Sequence, residues 1–125
     1  MRWKLRAYAA AFVLLCVVNA PASADADGDP MFVTGSDVVP LIRSAAVAHN
    51  VSPEWMVAVA YCESSLDPFA VSPDGSNLGL FQLNRRGLLP AFYARDYTDV
   101  WDPSQQANFA AEQFAAGNAR AWSCA

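Results

Sequence analysis

Of the 125 residues in this chain, Glu63 has the setting in which acid chemistry is most easily built. It follows the run Trp55-Met56-Val57-Ala58-Val59-Ala60-Tyr61-Cys62, which holds almost no polar group. A carboxyl at the end of such a run is expected to sit against an apolar wall, and burial disfavours its charged form. A carboxylic acid that keeps its proton near neutrality can serve as a general acid, for instance toward a departing glycosidic oxygen. Position alone does not establish this role, because a helix-terminal glutamate can as readily face solvent or sit in an ion pair. Other chemistries have less material. His49 is the single histidine and reads as a cap at a helix C-terminus, which argues against a metalloenzyme, and nucleophile chemistry at a serine or cysteine lacks a second His-type base. The sequence contains no glycine-rich phosphate loop.

The elements that must position Glu63 read as helices. Ser36 and Asp37 can cap a first helix through Leu41, Ile42, Ala45, Ala46 and Ala48, with Pro40 tolerable only near its first turn. Asn50 suits the left-handed turn that ends it. Ser52 as N-cap, Pro53 at the first position and Glu54 near the positive end of the dipole open a second helix. Its apolar body predicts a central helix buried all round. Asp67-Pro68 and Ser72-Pro73-Asp74-Gly75-Ser76 are turn signals that bracket a loop. Leu78 to Leu83 fits a strand or a short helix by pattern alone, and Gly87 to Pro90 reads as a break. Asp102-Pro103-Ser104-Gln105 starts a last helix, in which Ala107, Ala110, Ala111 and Phe114 recur at helical spacing before Gly117. The expected fold class is mainly α, one domain over residues 36–125, without repeats.

The N-terminal part reads differently. Arg2, Lys4 and Arg6 precede an uncharged apolar run from Ala7 to Val18, and Ala22-Ser23-Ala24 offers a small-residue cleavage site. This pattern predicts a secretory signal peptide over 1–24, its apolar run too short to span a bilayer. Cys16 follows Leu14-Leu15 instead of small residues and is not read as a lipidation site. Residues 25–35 begin with an Asp/Gly-rich stretch expected to be flexible. Beyond the leader, five arginines face twelve acids, a formal charge of −7. Such a domain is a poor partner for nucleic acid or an anionic membrane, so any grip on a polymer must come from shape, hydrogen bonds and stacking. Two cysteines then remain, Cys62 and Cys124, and an even count in a small exported domain favours a disulfide. The other reading makes Cys62 a small buried hydrophobe and Cys124 part of a frayed tail.

The motifs around Glu63 add a resemblance. Ala60-Tyr61-Cys62-Glu63-Ser64-Ser65-Leu66-Asp67-Pro68, Ala70-Val71-Ser72-Pro73-Asp74-Gly75 and Gly79-Leu80-Phe81-Gln82-Leu83-Asn84 together resemble the signature of soluble lytic transglycosylases and their lysozyme-like relatives. One Glu-Ser pair carries no weight; several motifs in the family's order and spacing do. The resemblance is clearest from Val38 to Asn84, and the Trp122-Ser123-Cys124 tail is similar to that of short actinobacterial and phage-type members. It implies a lysozyme-like domain that cleaves the glycan strands of peptidoglycan outside the cytoplasm, without cofactor or metal and as a monomer not inserted in the membrane. It also implies residue roles. Glu63 would protonate the bond between N-acetylmuramic acid and N-acetylglucosamine, and a 1,6-anhydro ring would form. Ser64 would bind near the acetamido group or orient Glu63, and Gly79 would keep the backbone open to a sugar. Leu80, Gln82 and Asn84 would line the cleft. Tyr61, Phe81 and Tyr93 offer stacking faces, although aromatic side chains in so apolar a chain also suit the core. Gln82 could equally brace the loop. The resemblance also supports the Cys62–Cys124 pairing, as a staple between the tail and the helix of the acid.

One departure stands out. Many members carry a late Ala-Tyr-Asn-Ala-Gly stretch whose tyrosine reaches the catalytic glutamate. Here Gln113-Phe114-Ala115-Ala116-Gly117 has Phe114 in its place and no hydroxyl. A hydrolysing lysozyme would use a second carboxylate, for which Asp67, Asp74, Asp96 and Asp99 are candidates, the first two reading rather as turn caps. A binding module of the same fold that has lost activity is the third reading.

Overall fold

The computed structural model describes residues 35–125, so the expected signal peptide and nearly all of the N-terminal segment fall outside the described residues. Four helices and one small hairpin follow in chain order: α1 (Gly35–Ala48), α2 (Pro53–Ser64), β1 (Asn77–Leu78), β2 (Leu83–Asn84), α3 (Leu88–Ala94) and α4 (Pro103–Ala115). A 3-10 turn at Ala119–Ala121 comes after them. The fold is mainly α, as the helical signals imply. None of the described helices is long and apolar enough to cross a membrane.

The caps act as their residue types dictate. Ser52 accepts a hydrogen bond from the Trp55 N–H at 3.2 Å, with Pro53 at the first helical position. Asp102 accepts from the N–H of Ser104 at 2.8 Å and of Gln105 at 3.4 Å, again ahead of a proline. Each satisfies backbone donors that the first turn leaves without partners. Asn50 closes α1 at φ 56° and Gly117 follows α4 at φ 83°, the left-handed conformation that ends a helix cheaply only for such residues.

α1 packs against both α2 and α4. Val38, Ile42, Ala45 and Ala46 from α1 meet Met56, Val59 and Ala60 from α2, and Ala107, Phe109, Ala110 and Ala111 from α4. Alanines at so many buried positions let the helix axes approach closely. The hairpin inserts Leu78, Leu80, Phe81 and Leu83 into the same core, all under 5 % exposed.

Four sequence expectations need correction. α2 is not buried all round: only Met56, Val59 and Ala60 are covered, while Trp55, Ala58, Tyr61 and Cys62 are exposed. An evenly apolar helix carries no periodic signal for which side is covered, and here α1 covers one side only. Leu78 to Leu83 is neither one strand nor a helix, but the inner part of a hairpin in register Asn77↔Asn84 and Leu78↔Leu83. Gly87 to Pro90 is not a break either; Gly87 caps α3 and Pro90 sits in its first turn, where the missing N–H would have no helical partner. Pro40 lies deeper than the first turn, inside a helix that already begins at Gly35.

Candidate active site

Glu63 is the penultimate residue of α2 and is half-buried. The helix stops sharply behind it, because Ser65 and Leu66 take left-handed conformations at φ 54° and 64°. A leucine there costs about 1 kcal/mol, so the surrounding structure must hold this turn in place. Part of that hold is Ser64. Its hydroxyl lies 2.7 Å from the Leu80 carbonyl oxygen, to which it donates, and 3.0 Å from that of Ala60. The end of α2 is thereby fastened to the turn between the two strands.

That turn is organised from behind by a residue absent from the sequence reading. Gln106 of α4 is fully buried; its Oε1 accepts the Phe81 N–H at 2.8 Å and its Nε2 donates to the carbonyls of Leu78 and Val100. Gly79, at φ 79°, lies against this amide: a Cβ there would come within 1.8 Å of Gln106 Nε2. The glycine therefore makes room for a buried amide and not, as expected, for an approaching sugar.

A cavity of about 260 Å³ opens beside Glu63, lined by Glu63, Asn77, Gln82, Asn84, Leu88, Ala121, Trp122 and Ser123. Glu63 is the one ionisable side chain among these lining residues. The amides around it are partly committed. Gln82 Nε2 donates to the carbonyls of Gly79 at 2.9 Å and Ala70 at 3.2 Å, so the bracing role is real even though the residue also lines the cavity. Asn84 Nδ2 donates to Asn77 Oδ1 at 3.1 Å across the hairpin, and Asn84 Oδ1 accepts the Arg86 N–H at 2.8 Å. The Gln82 carbonyl and the Asn77 amide hydrogens make no hydrogen bond among the described residues.

The last residues complete the wall. A disulfide joins Cys62 to Cys124, 62 positions apart. The Trp122 indole N–H donates to the Phe81 carbonyl at 2.7 Å, and the Cys124 backbone N–H donates to Glu63 Oε1 at 3.2 Å. Phe114 offers no hydroxyl; its ring stacks on Trp55 at 4.7 Å and meets Trp122 edge-on at 4.9 Å.

Of the residues expected at the site, Glu63, Gln82 and Asn84 line the cavity. Ser64, Gly79, Leu80 and Phe81 stand behind it as its support. Leu80 and Phe81 are 0 % exposed, which removes Phe81 as a stacking face. Tyr61 is 64 % and Tyr93 46 % exposed, neither in the cavity wall. Asn77, Leu88, Ala121, Trp122 and Ser123 were not foreseen there. A signal for two of them exists in the sequence: pairing Cys62 with Cys124 brings Trp122 and Ser123 beside Glu63.

The aspartates considered as a second carboxylate are exposed, and none lines the cavity. Asp67 caps Phe69, and Asp99 caps Trp101. Asp74 accepts from Ser76 and Ser72, and these hydrogen bonds, Ser76 first, hold its carboxyl down to about 2.

Fold and cavity together define a mainly-α domain that presents one acid to a polar-walled cleft. The chain belongs to the transglycosylase SLT domain family, whose model matches residues 40–121. Domains of this family are in general glycan-cleaving transglycosylases that act on peptidoglycan. Trp122 to Ala125 lie beyond the matched segment. Searches of curated proteins and of solved structures return no match.

Proposed function

We propose that the protein is a lytic transglycosylase that cleaves the bond between N-acetylmuramic acid and N-acetylglucosamine, with Glu63 as the single protein acid. The observation that carries this reading is that Glu63 is the one ionisable side chain lining the cavity. A single carboxyl suffices if it works twice. It first gives its proton to the glycosidic oxygen as the bond to C1 breaks, and the substrate's acetamido oxygen stabilises the oxocarbenium-like centre. The Glu63 carboxylate then takes the proton of the C6 hydroxyl as that oxygen bonds to C1. A 1,6-anhydro ring forms, Glu63 is protonated again and no water is consumed.

The amides supply recognition. The unpaired Asn77 amide hydrogens and Gln82 carbonyl match the carbonyl and N–H of an acetamido group, and Trp122 and Leu88 give the cleft apolar surface. A hydrolase of the common two-carboxylate type would place a second carboxylate across the cleft, and each aspartate considered lies outside the cavity. A module that only binds would gain nothing from an acid at this point. The leader over 1–24 would export the chain, the disulfide suits an oxidising compartment, and a monomer would act on the wall.

Mass spectrometry of the soluble products released from peptidoglycan tests this. Products ending in 1,6-anhydro-muramic acid are expected. Reducing ends, heavier by one water, would make the enzyme a hydrolase.

A further inference from the structure

We propose that Cys124 is a positioning residue for the acid: its backbone N–H, held in place by the disulfide and by Trp122, orients the Glu63 carboxyl for proton transfer. The inference rests on the assignment of Glu63 as the acid.

Glu63 accepts no other hydrogen bond among the described residues. The nearest hydroxyl in sequence, Ser64, donates to backbone carbonyls instead. The ring of Phe114 is packed between Trp55 and Trp122 and has no donor to give. A half-buried glutamate with three rotatable bonds would otherwise be fixed by packing alone, and acid catalysis falls steeply when the donor atom is misplaced. Holding one oxygen leaves the other for the substrate.

The Cys124 N–H is placed by two independent ties. The disulfide runs to Cys62, the residue next to Glu63, so the donor is anchored to the backbone that carries the acid. The Trp122 indole is buried and bonded to the Phe81 carbonyl, which fixes the other side of the segment to the hairpin turn. Ala121, Trp122 and Ser123 meanwhile form part of the cavity wall. One short segment therefore sets both the acid's orientation and the width of the cleft. Trp122, Ser123 and Cys124 lie beyond the stretch that the family model matches.

The test compares wild type with C62A/C124A, which breaks the bridge and keeps the N–H, and with C62A/C124P, which removes both. Activity is measured on peptidoglycan well below each variant's melting temperature. In C62A/C124A, kcat is expected to fall by about tenfold or more with KM changed less, and the anhydro product is retained. In C62A/C124P a further drop and a displaced pH profile of kcat are expected. Wild-type kcat and pH profile in both variants would overturn the proposal. A second measurement needs no variant of the tail: the Cys124 amide proton shift of wild type should follow the Glu63 titration, and the response should vanish in Glu63→Gln. An amide shift indifferent to that titration would also overturn it. Absence of anhydro products from wild type, by contrast, would overturn the proposed function itself.

Discussion

The side-chain amide of Gln106 occupies the space that a Cβ on Gly79 would need, only 1.8 Å from Nε2. The two residues sit on different elements, the hairpin turn and α4, and their contact decides where Phe81 and its neighbours stand. Gly79→Ala is therefore expected to cost roughly 3 kcal/mol or more, from displacement of a buried amide with little room to move and from alanine at φ 79°. Chemical denaturation measures this directly. A variant as stable as wild type would show that the amide is free to move aside.

Gln106→Met keeps the volume and removes the hydrogen bonds. It strands the Phe81 N–H and the Leu78 and Val100 carbonyls in the core. Each buried group left without a partner costs about 1–3 kcal/mol. A loss of roughly 3 kcal/mol in unfolding free energy is expected, with a larger fractional loss of activity because the turn supports Gln82 and Asn84.

The bridge between Cys62 and Cys124 spans 62 positions, for which the chain-entropy model gives about 4 kcal/mol of stabilisation. C62S/C124S should lower the denaturation midpoint accordingly. A midpoint unchanged within error would mean that the reduced unfolded chain is already compact around these residues.

Tyr97 gives a pH signature. Burial first, and the hydrogen bond it donates to Glu112 second, raise its hydroxyl from 10.0 to about 12. The folded chain thus holds this proton when the unfolded chain has lost it. The stabilisation is fully present below pH 10 and fades as the pH rises toward about 12. Urea midpoints measured across that alkaline window should fall in wild type and fall less steeply in Tyr97→Phe.

Much of this molecule is legible in its sequence, and for stated reasons. Ser52-Pro53 and Asp102-Pro103 mark helix starts because cap geometry is local, and the structure shows both caps. Glu63 stands out at the end of an apolar run, Gln82 and Asn84 belong to the motifs that follow it, and the three meet at one cavity. What escaped was long-range. Gln106 looks like any polar residue on a helix until the hairpin turn is folded against it. The side on which α2 is covered cannot be read from a segment apolar all round, and α3 hides behind a Gly and a Pro that also spell a break. Phe81 looked like a sugar platform because a motif gives its neighbourhood but not the direction of its ring.

The most direct measurement is the release of soluble fragments from peptidoglycan by Glu63→Gln, with the melting temperature recorded on the same preparation. The swap is nearly isosteric and keeps an oxygen to accept the Cys124 N–H, while removing the transferable proton. The expected result is a melting temperature close to wild type and a rate lower by about 10² to 10⁴. Wild-type release by the folded variant would contradict the assignment of Glu63 and with it the account of the cleft.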